Sequence, residues 1–227
     1  MYELGVVHRT VDRPDRAEVD ALAPFGVSTI HEAMGRTGLM RPYIRPVYPS
    51  AKLIGTAVTV LLQPGDNWMM HVAAEQLKPG DVLVAACTTE CEDGFFGELL
   101  ATSMRAQGCV GLVIDGGVRD VAELEEMDFP VFSRAINSKG TVKATLGSVN
   151  VPVICANAQV NPGDVVVGDK DGVVVVPAGR VAEVAEAAAK REASEEGKRK
   201  RFRAGELGLD IYGMREPLQK AGLRYVD

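Results

Sequence analysis

Cysteine is scarce in this chain and comes without the pairing that a disulfide framework or a zinc cluster needs. Cys87, Cys91, Cys109 and Cys155 are scattered, and Cys87-x-x-x-Cys91 lacks the second pair a structural zinc site requires. Most of them fall inside apolar strand-like runs, as buried thiols of a reducing cytoplasm do. Positive charge is not in excess either. Lys and Arg number 25 against 31 Asp and Glu, and the formal net charge of −6 argues against a general nucleic-acid binder. No apolar run approaches the ~20 residues that span a bilayer. The opening Met1-Tyr2-Glu3-Leu4-Gly5 has no charged-then-apolar pattern, so a cytoplasmic chain with no membrane partner is expected. A fixed-period repeat is also lacking. Pro64-Gly65-Asp66, Pro79-Gly80-Asp81 and Pro162-Gly163-Asp164 repeat a turn chemistry, not a structural unit.

What is present suits one globular domain over residues 1–227, since 46% of the residues are hydrophobic. Asp15 to Ala23 reads as a short amphipathic helix, and Ser28 is placed to cap a second that runs through His31 to Gly35. His31 has no metal-ligand partner at helical spacing and reads as structural. Arg41 to Pro46 is a proline-punctuated loop, and Ile54 to Leu62 reads as a strand. Asp66 is placed to cap a helix from Asn67 to Leu77. Asn67 and His71 lie one turn apart on it, either facing a pocket together or packing into the core with Trp68 and Met69. Asp81 to Cys87 is a second buried strand. Val149 to Ile154, Asp164 to Gly168 and Gly172 to Val176 are further β-branched runs between turn signals. From Ala178 to about Ala204 the chain becomes a long alanine-rich, charged helix with Glu186–Lys190, Glu195–Arg199 and Glu196–Lys200 at i,i+4. Its basic run, Lys198 to Arg203, is balanced by nearby acids and reads as a solvated face. Strands and helices mixed in this way point to an α/β fold with a layered or barrel-like sheet.

The stretch from Gly94 to Asp120 carries the chemistry. Gly97 to Gln107 suits a helix ended by Gly108, and Cys109 to Ile114 a strand covered on both faces. Gly116 and Gly117 then permit a sharp turn that presents Arg119 and Asp120 at the carboxyl end of a central strand, where open α/β sheets bind ligands. Asp120 offers a hard oxygen ligand to Mg²⁺ or Mn²⁺, and Glu98 is placed to hold one of the waters such a cation keeps. The first-turn amides of Leu99 and Leu100 can bind a carboxylate, and Arg119 can stabilise developing negative charge. The same residues also admit a structural reading. Asp120-Val121-Ala122-Glu123 has the spacing of a helix capping box, and Glu98 is an ordinary first-turn carboxylate. Spacing alone leaves both open.

Gly97-Glu98-Leu99-Leu100 with Val113-Ile114-Asp115-Gly116-Gly117-Val118-Arg119-Asp120 resembles the 4-hydroxy-4-methyl-2-oxoglutarate/4-carboxy-4-hydroxy-2-oxoadipate aldolases. These are class II pyruvate aldolases related to the regulator of ribonuclease activity A. The family motif is an acid, a fixed gap and Arg-Asp, which Glu98, Arg119 and Asp120 match; well-studied members carry Asp where this chain has Glu98. Similar strings run from Gln63 to His71, from Ser138 to Thr145 and from Gly208 to Leu218, so the resemblance covers nearly the whole chain. It implies a swivelling β/β/α-type layered domain whose helical extension, residues 178–227, packs on a neighbouring subunit of a homotrimer or homohexamer.

The resemblance also implies a lyase that cleaves those two keto acids to pyruvate plus pyruvate or oxaloacetate, with oxaloacetate decarboxylation as a side activity. In that reading Asp120 binds Mg²⁺ or Mn²⁺ directly, and Glu98 and the neighbour's Glu195 hold it through water. Arg119 stabilises the enolate and contacts substrate, whose carboxylate the Leu99 and Leu100 amides hold; Asn67 and His71, from their helical spacing, and Lys143, as a further cation for a carboxylate-rich substrate, are the other candidate contacts. Tyr212 and Arg215 are further candidates for the distal carboxylates. The alternative is a non-catalytic protein-binding module like the ribonuclease regulator. A methyltransferase reading fails, because no Gly-rich cofactor loop follows the first strand.

Overall fold

The computed structural model describes residues 4–227. Helices α1 (Arg16–Asp20) and α2 (Val27–Ala33) lead to strands β1 (Arg45–Pro46) and β2 (Leu53–Leu62), and α3 (Trp68–Ala74) joins β2 to β3 (Asp81–Cys87). Next come β4 (Gly94–Phe96), α4 (Glu98–Ala106), β5 (Gly111–Val118), α5 (Val121–Glu126) and β6 (Val131–Ile136). The chain continues through β7 (Ser148–Val149), β8 (Val153–Cys155), β9 (Ala158–Val160), β10 (Val165–Asp169) and β11 (Gly172–Val176). A 3₁₀ turn (Ala178–Arg180) then opens α6 (Val181–Arg203), followed by α7 (Gly208–Ile211) and α8 (Arg215–Lys220).

The main sheet runs β1-β6-β5-β3-β2-β10-β11. Its middle strands, β2, β3, β5 and β6, are parallel because helical crossovers separate them in sequence. The flanking strands are antiparallel. The sheet curls until its edges meet: the Arg45 guanidinium donates to the Asp171 carbonyl at 2.9 Å, and Leu39 bridges to Val174 on β11. The result is an α/β fold around a nearly closed, barrel-like sheet. Alternation along β5 shows how the layers form. Leu112 and Ile114 face a core shared with α3 and α4, whereas Val113 faces the barrel interior with Phe132 and Val84. A third cluster fixes α2 and the start of α6 against β10 and β11 through Ile30, Val174 and Val184.

Several local expectations are corrected. α2 begins at Val27, before Ser28. The cap comes from another element: Asp169 Oδ2 accepts the Val27 N–H at 2.9 Å, and the Ser28 hydroxyl binds Asp171 instead. Helix α3 ends at Ala74, short of Leu77, and α1 is similarly trimmed. Val149 to Ile154 is not one strand, because Asn150 takes a positive φ of 56° and separates β7 from β8. On α6, Glu186 pairs with Lys190 as expected, but Glu195 pairs with Arg191 and Glu196 with Arg199.

The largest correction concerns Gly116 and Gly117. They are not a turn; β5 continues through both to Val118. Their lack of a side chain serves close packing. A Cβ on Gly116 would press on the Phe95 ring, and one on Gly117 would overlap the Glu92 and Asp93 carbonyl oxygens. Gly117→Ala is therefore expected to lower unfolding stability by about 2–3 kcal/mol through overpacking, read as a shifted denaturation midpoint. An unshifted midpoint would show that the Glu92–Asp93 backbone yields freely.

The three Pro-Gly-Asp turns share one construction. Each glycine has positive φ, 71° at Gly65, 90° at Gly80 and 96° at Gly163. Each aspartate then accepts backbone N–H groups, from Trp68, Lys78 and Asn161 respectively. Asp81 also carries a buried ion pair to Arg13 at 2.7 Å. Among the described residues, no helix is long and apolar enough to cross a membrane.

Candidate active site at the end of strand β5

Asp120 leaves β5 in the left-handed region, φ 58° and ψ 42°, a conformation Asp tolerates better than most residues. It stands at the N-cap of α5 yet makes no side-chain bond to that helix, so the capping-box reading is not realised. Its Oδ2 instead accepts the N–H of Glu98, at 3.1 Å, the first amide of α4. The carboxylate thus sits at the positive end of the neighbouring helix, where its charge is stabilised. Gly97 makes this approach possible, since a Cβ there would overlap Asp120 Oδ2. Backbone strain held by a cross-element contact at the end of a central strand is a common mark of a binding corner.

Around this corner the structure gathers most of the expected residues. Arg119 Nε lies 3.9 Å from Asp120 Oδ2, and both side chains remain partly open to solvent. Glu98 Oε1 accepts the Thr102 hydroxyl at 2.8 Å, which fixes the carboxylate one turn into α4. The amides of Leu99 and Leu100 belong to the first turn of α4, whose N–H groups have no acceptor within the helix. The 137–145 loop passes over the corner, so close that a Cβ on Gly140 would lie 3.4 Å from the Arg119 guanidinium.

Asp66 anchors that loop. Its carboxylate accepts the N–H groups of Ala144 and Thr145, both at 2.7 Å, besides that of Trp68. Burial pushes the Asp66 carboxyl up, but these backbone donors outweigh it and hold the group below the usual range. A depressed native pKa adds stability above the unfolded-state pKa that is lost as pH falls through the native value. Asp66→Ala should cost roughly 3 kcal/mol near neutral pH, and less in acid. Equal losses at both pH values would remove the charge from the account.

Lys143 is exposed on this loop, near His71, whose pKa is lowered by burial and then by the Lys143 charge. Asn67 and His71 separate. His71 is exposed, whereas Asn67 is buried, donates its side-chain amide to the Phe95 carbonyl at 2.8 Å and leaves Oδ1 without a partner. Glu195 is not joined to the corner by any contact among the described residues; it pairs with Arg191 in a cleft shared with Glu32 and Lys198. Tyr212 and Arg215 also lie elsewhere, under Lys198 and paired with Asp210.

Among the described residues, no group of three or more His, Cys, Asp or Glu forms a ready-made metal cage. The corner nevertheless fits a hard cation that keeps most of its waters, because Asp120 presents an oxygen not used by α4 and Glu98 stands beside it. Sequence reasoning missed a second polar group on β5. Asp115 Oδ1 accepts from Arg134 Nε at 2.7 Å, and its Oδ2 accepts from the Ala156 N–H at 2.9 Å and the Tyr43 hydroxyl at 3.2 Å. The cue was Asp115 itself, a charged residue inside an otherwise apolar strand.

A family model described as RraA-like, Aldolase/RraA, matches residues 27–175, which contain β1 to β10, most of β11 and the whole Arg119–Asp120 corner. The chain belongs to the RraA-like family. A relative from Halalkalibacterium halodurans, named "Putative 4-hydroxy-4-methyl-2-oxoglutarate aldolase", is 29% identical over 200 residues, 87% of this chain and 95% of that protein. One of the same name from Burkholderia multivorans is 32% identical over 143 residues, 63% of this chain and 87% of its own length. Among solved structures, Streptomyces coelicolor RraAS2, titled an unusual member of the RNase ES inhibitor RraA family, superposes with a TM-score of 0.76 at 27% identity. That match covers 84% of this chain and 99% of RraAS2. This RraA-like protein therefore has relatives named for catalysis and relatives named for inhibition.

Proposed function

We propose that this RraA-like protein is a divalent-cation-dependent lyase of 4-hydroxy-2-oxo acids. It would cleave 4-hydroxy-4-methyl-2-oxoglutarate to two pyruvates and 4-carboxy-4-hydroxy-2-oxoadipate to pyruvate and oxaloacetate, and would decarboxylate oxaloacetate. The observation that carries this reading is the turning of Asp120 away from its own helix and onto the Glu98 amide, which unites an acid, an arginine and a helix N-terminus. A Mg²⁺ or Mn²⁺ held by Asp120 would supply Lewis-acid stabilisation of negative charge on the keto oxygen.

The protein's own groups do the rest. The Leu99 and Leu100 amides hold the carboxylate next to the keto group, oriented by the α4 dipole. Glu98 Oε2, left free while Oε1 accepts from Thr102, takes the proton of the C4 hydroxyl through a bridging water. As the C3–C4 bond opens, its electron pair passes toward the keto oxygen. Arg119 faces the charge that develops there, and protonation at C3 completes pyruvate. Lys143, on the loop that Asp66 anchors, meets a distal carboxylate, with the exposed His71 nearby. Glu195 would act from a second copy of the chain in a trimer or hexamer. Leu99 at 80% and Val142 at 61% exposure beside the corner support such a covering surface.

The test is pyruvate release from both substrates and from oxaloacetate, before and after chelator stripping. Stripped enzyme should lose nearly all turnover and regain it with Mg²⁺ or Mn²⁺; equal rates would refute the reading. Borohydride with pyruvate should trap no adduct, since no lysine imine is used. The second reading, a non-catalytic inhibitor like the one RraAS2 is titled for, gains if loaded enzyme acts on none of these acids.

A further inference from the structure

β5 and β6 are parallel, yet their register slips between two pairs. Ile114 lies opposite Ser133, and the next aligned pair is Gly117 with Ala135. Two residues of β5, Asp115 and Gly116, therefore stand against one residue of β6, Arg134. This is a bulge, a feature rare in parallel sheets and recurrent beside active sites, where it re-aims a side chain. Two of the three residues that make it, one from each strand, form an ion pair, Arg134 Nε to Asp115 Oδ1 at 2.7 Å.

The pair is built into its surroundings. Its side chains are 14% and 16% exposed, and it closes one end of the barrel-side core that contains Val113, Phe132 and Cys155. Arg134 also donates to the Tyr43 hydroxyl at 3.0 Å, and its guanidinium lies over the Tyr43 ring at 4.3 Å. Glu90 adds a looser contact from the loop before β4, at 3.5 Å. Asp115 accepts from Arg134, Tyr43 and Ala156, so each carboxylate oxygen is used. β5 also changes partner here: it pairs with β3 up to Asp115, and with β4 from Gly117.

We propose that Asp115 and Arg134 are positioning residues whose ion pair sets the bulge and so fixes where β5 delivers Arg119 and Asp120. Losing the bulge would slide the following residues by one position, about 3.3 Å, and turn alternate side chains to the opposite face. The 3.1 Å contact between Asp120 and the Glu98 amide cannot survive such a slip. The catalytic side of the proposal rests on the lyase reading; the placement of the corner does not.

The experiment compares wild type with Arg134→Met and Arg134→Lys, using amide hydrogen exchange together with kinetics. In Arg134→Met, exchange in a peptide spanning Val118 to Val121 should accelerate about tenfold or more, while β10 and β11 keep wild-type protection. With Mg²⁺ present, kcat for oxaloacetate decarboxylation should fall about 10- to 100-fold, with KM changed far less. Arg134→Lys, which keeps the charge but not the fork, should recover part of both. Wild-type protection at Val118 to Val121, or a uniform loss of protection over the whole sheet, overturns the positioning role. Should wild type itself prove inactive, the exchange result still decides the placement, and only the lyase reading is lost. If Arg134→Met fails to fold, Arg134→Lys decides on the same readouts.

Discussion

Asp120→Asn is expected to abolish cation-dependent pyruvate release while leaving the fold in place. Asn tolerates the left-handed backbone of this position, φ 58°, and its amide oxygen can still accept the Glu98 N–H. What disappears is the charge that holds a hard cation. A carboxylate 40% exposed at a helix N-terminus contributes little to stability, about 1 kcal/mol or less. The melting temperature should therefore shift only slightly while turnover falls to background. Added Mg²⁺ or Mn²⁺ should not restore it, even in large excess. Turnover within tenfold of wild type would move the cation site away from this corner.

Arg119→Ala should reduce kcat by about 10²-fold or more, by analogy with loss of an oxyanion donor. Because charge on the keto oxygen grows only as the bond breaks, KM should change much less than kcat. Arg119→Lys separates charge from shape: a compact ammonium keeps the attraction but loses the planar fork, so partial recovery is expected. The side chain is 47% exposed, so neither variant should disturb folding. A near-normal kcat in Arg119→Ala with saturating Mg²⁺ would assign enolate stabilisation to another group.

The order of elements around this corner was legible in the sequence because it rests on local chemistry. Gly108, with φ 88°, ends α4 as its position implies, and the apolar run of β3 from Asp81 to Cys87 was readable to the residue. Glu98, Arg119 and Asp120 lie together at the end of β5, a grouping that the resemblance, not the spacing, suggested. Long-range contacts were not readable. Asp169 caps α2, and Asp66 bonds the loop that carries Lys143, each from far along the chain. Gly116 and Gly117 misled for a physical reason. Glycine permits a turn, but it equally serves a strand pressed against carbonyl oxygens, and only the neighbours distinguish the two. The capping-box pattern failed similarly, since Asp120 had a stronger claim from another helix. Glu195 was expected to pair with Arg199, four residues on, and the chain uses Arg191, four residues back.

The curled sheet has a kinetic consequence. Its parallel middle, from β3 to β6, is assembled from one continuous stretch of chain, Asp81 to Ile136, with α4 and α5 as short crossovers. Adding the β10–β11 hairpin instead requires β10 to find β2, Val165 opposite Thr56, across the whole intervening sequence. Pairing of that kind forfeits more chain entropy before any contact repays it, so it sets the pace of folding. The corner holding Arg119 and Asp120 should therefore acquire protection early in refolding, ahead of the β10–β11 hairpin that seals the barrel.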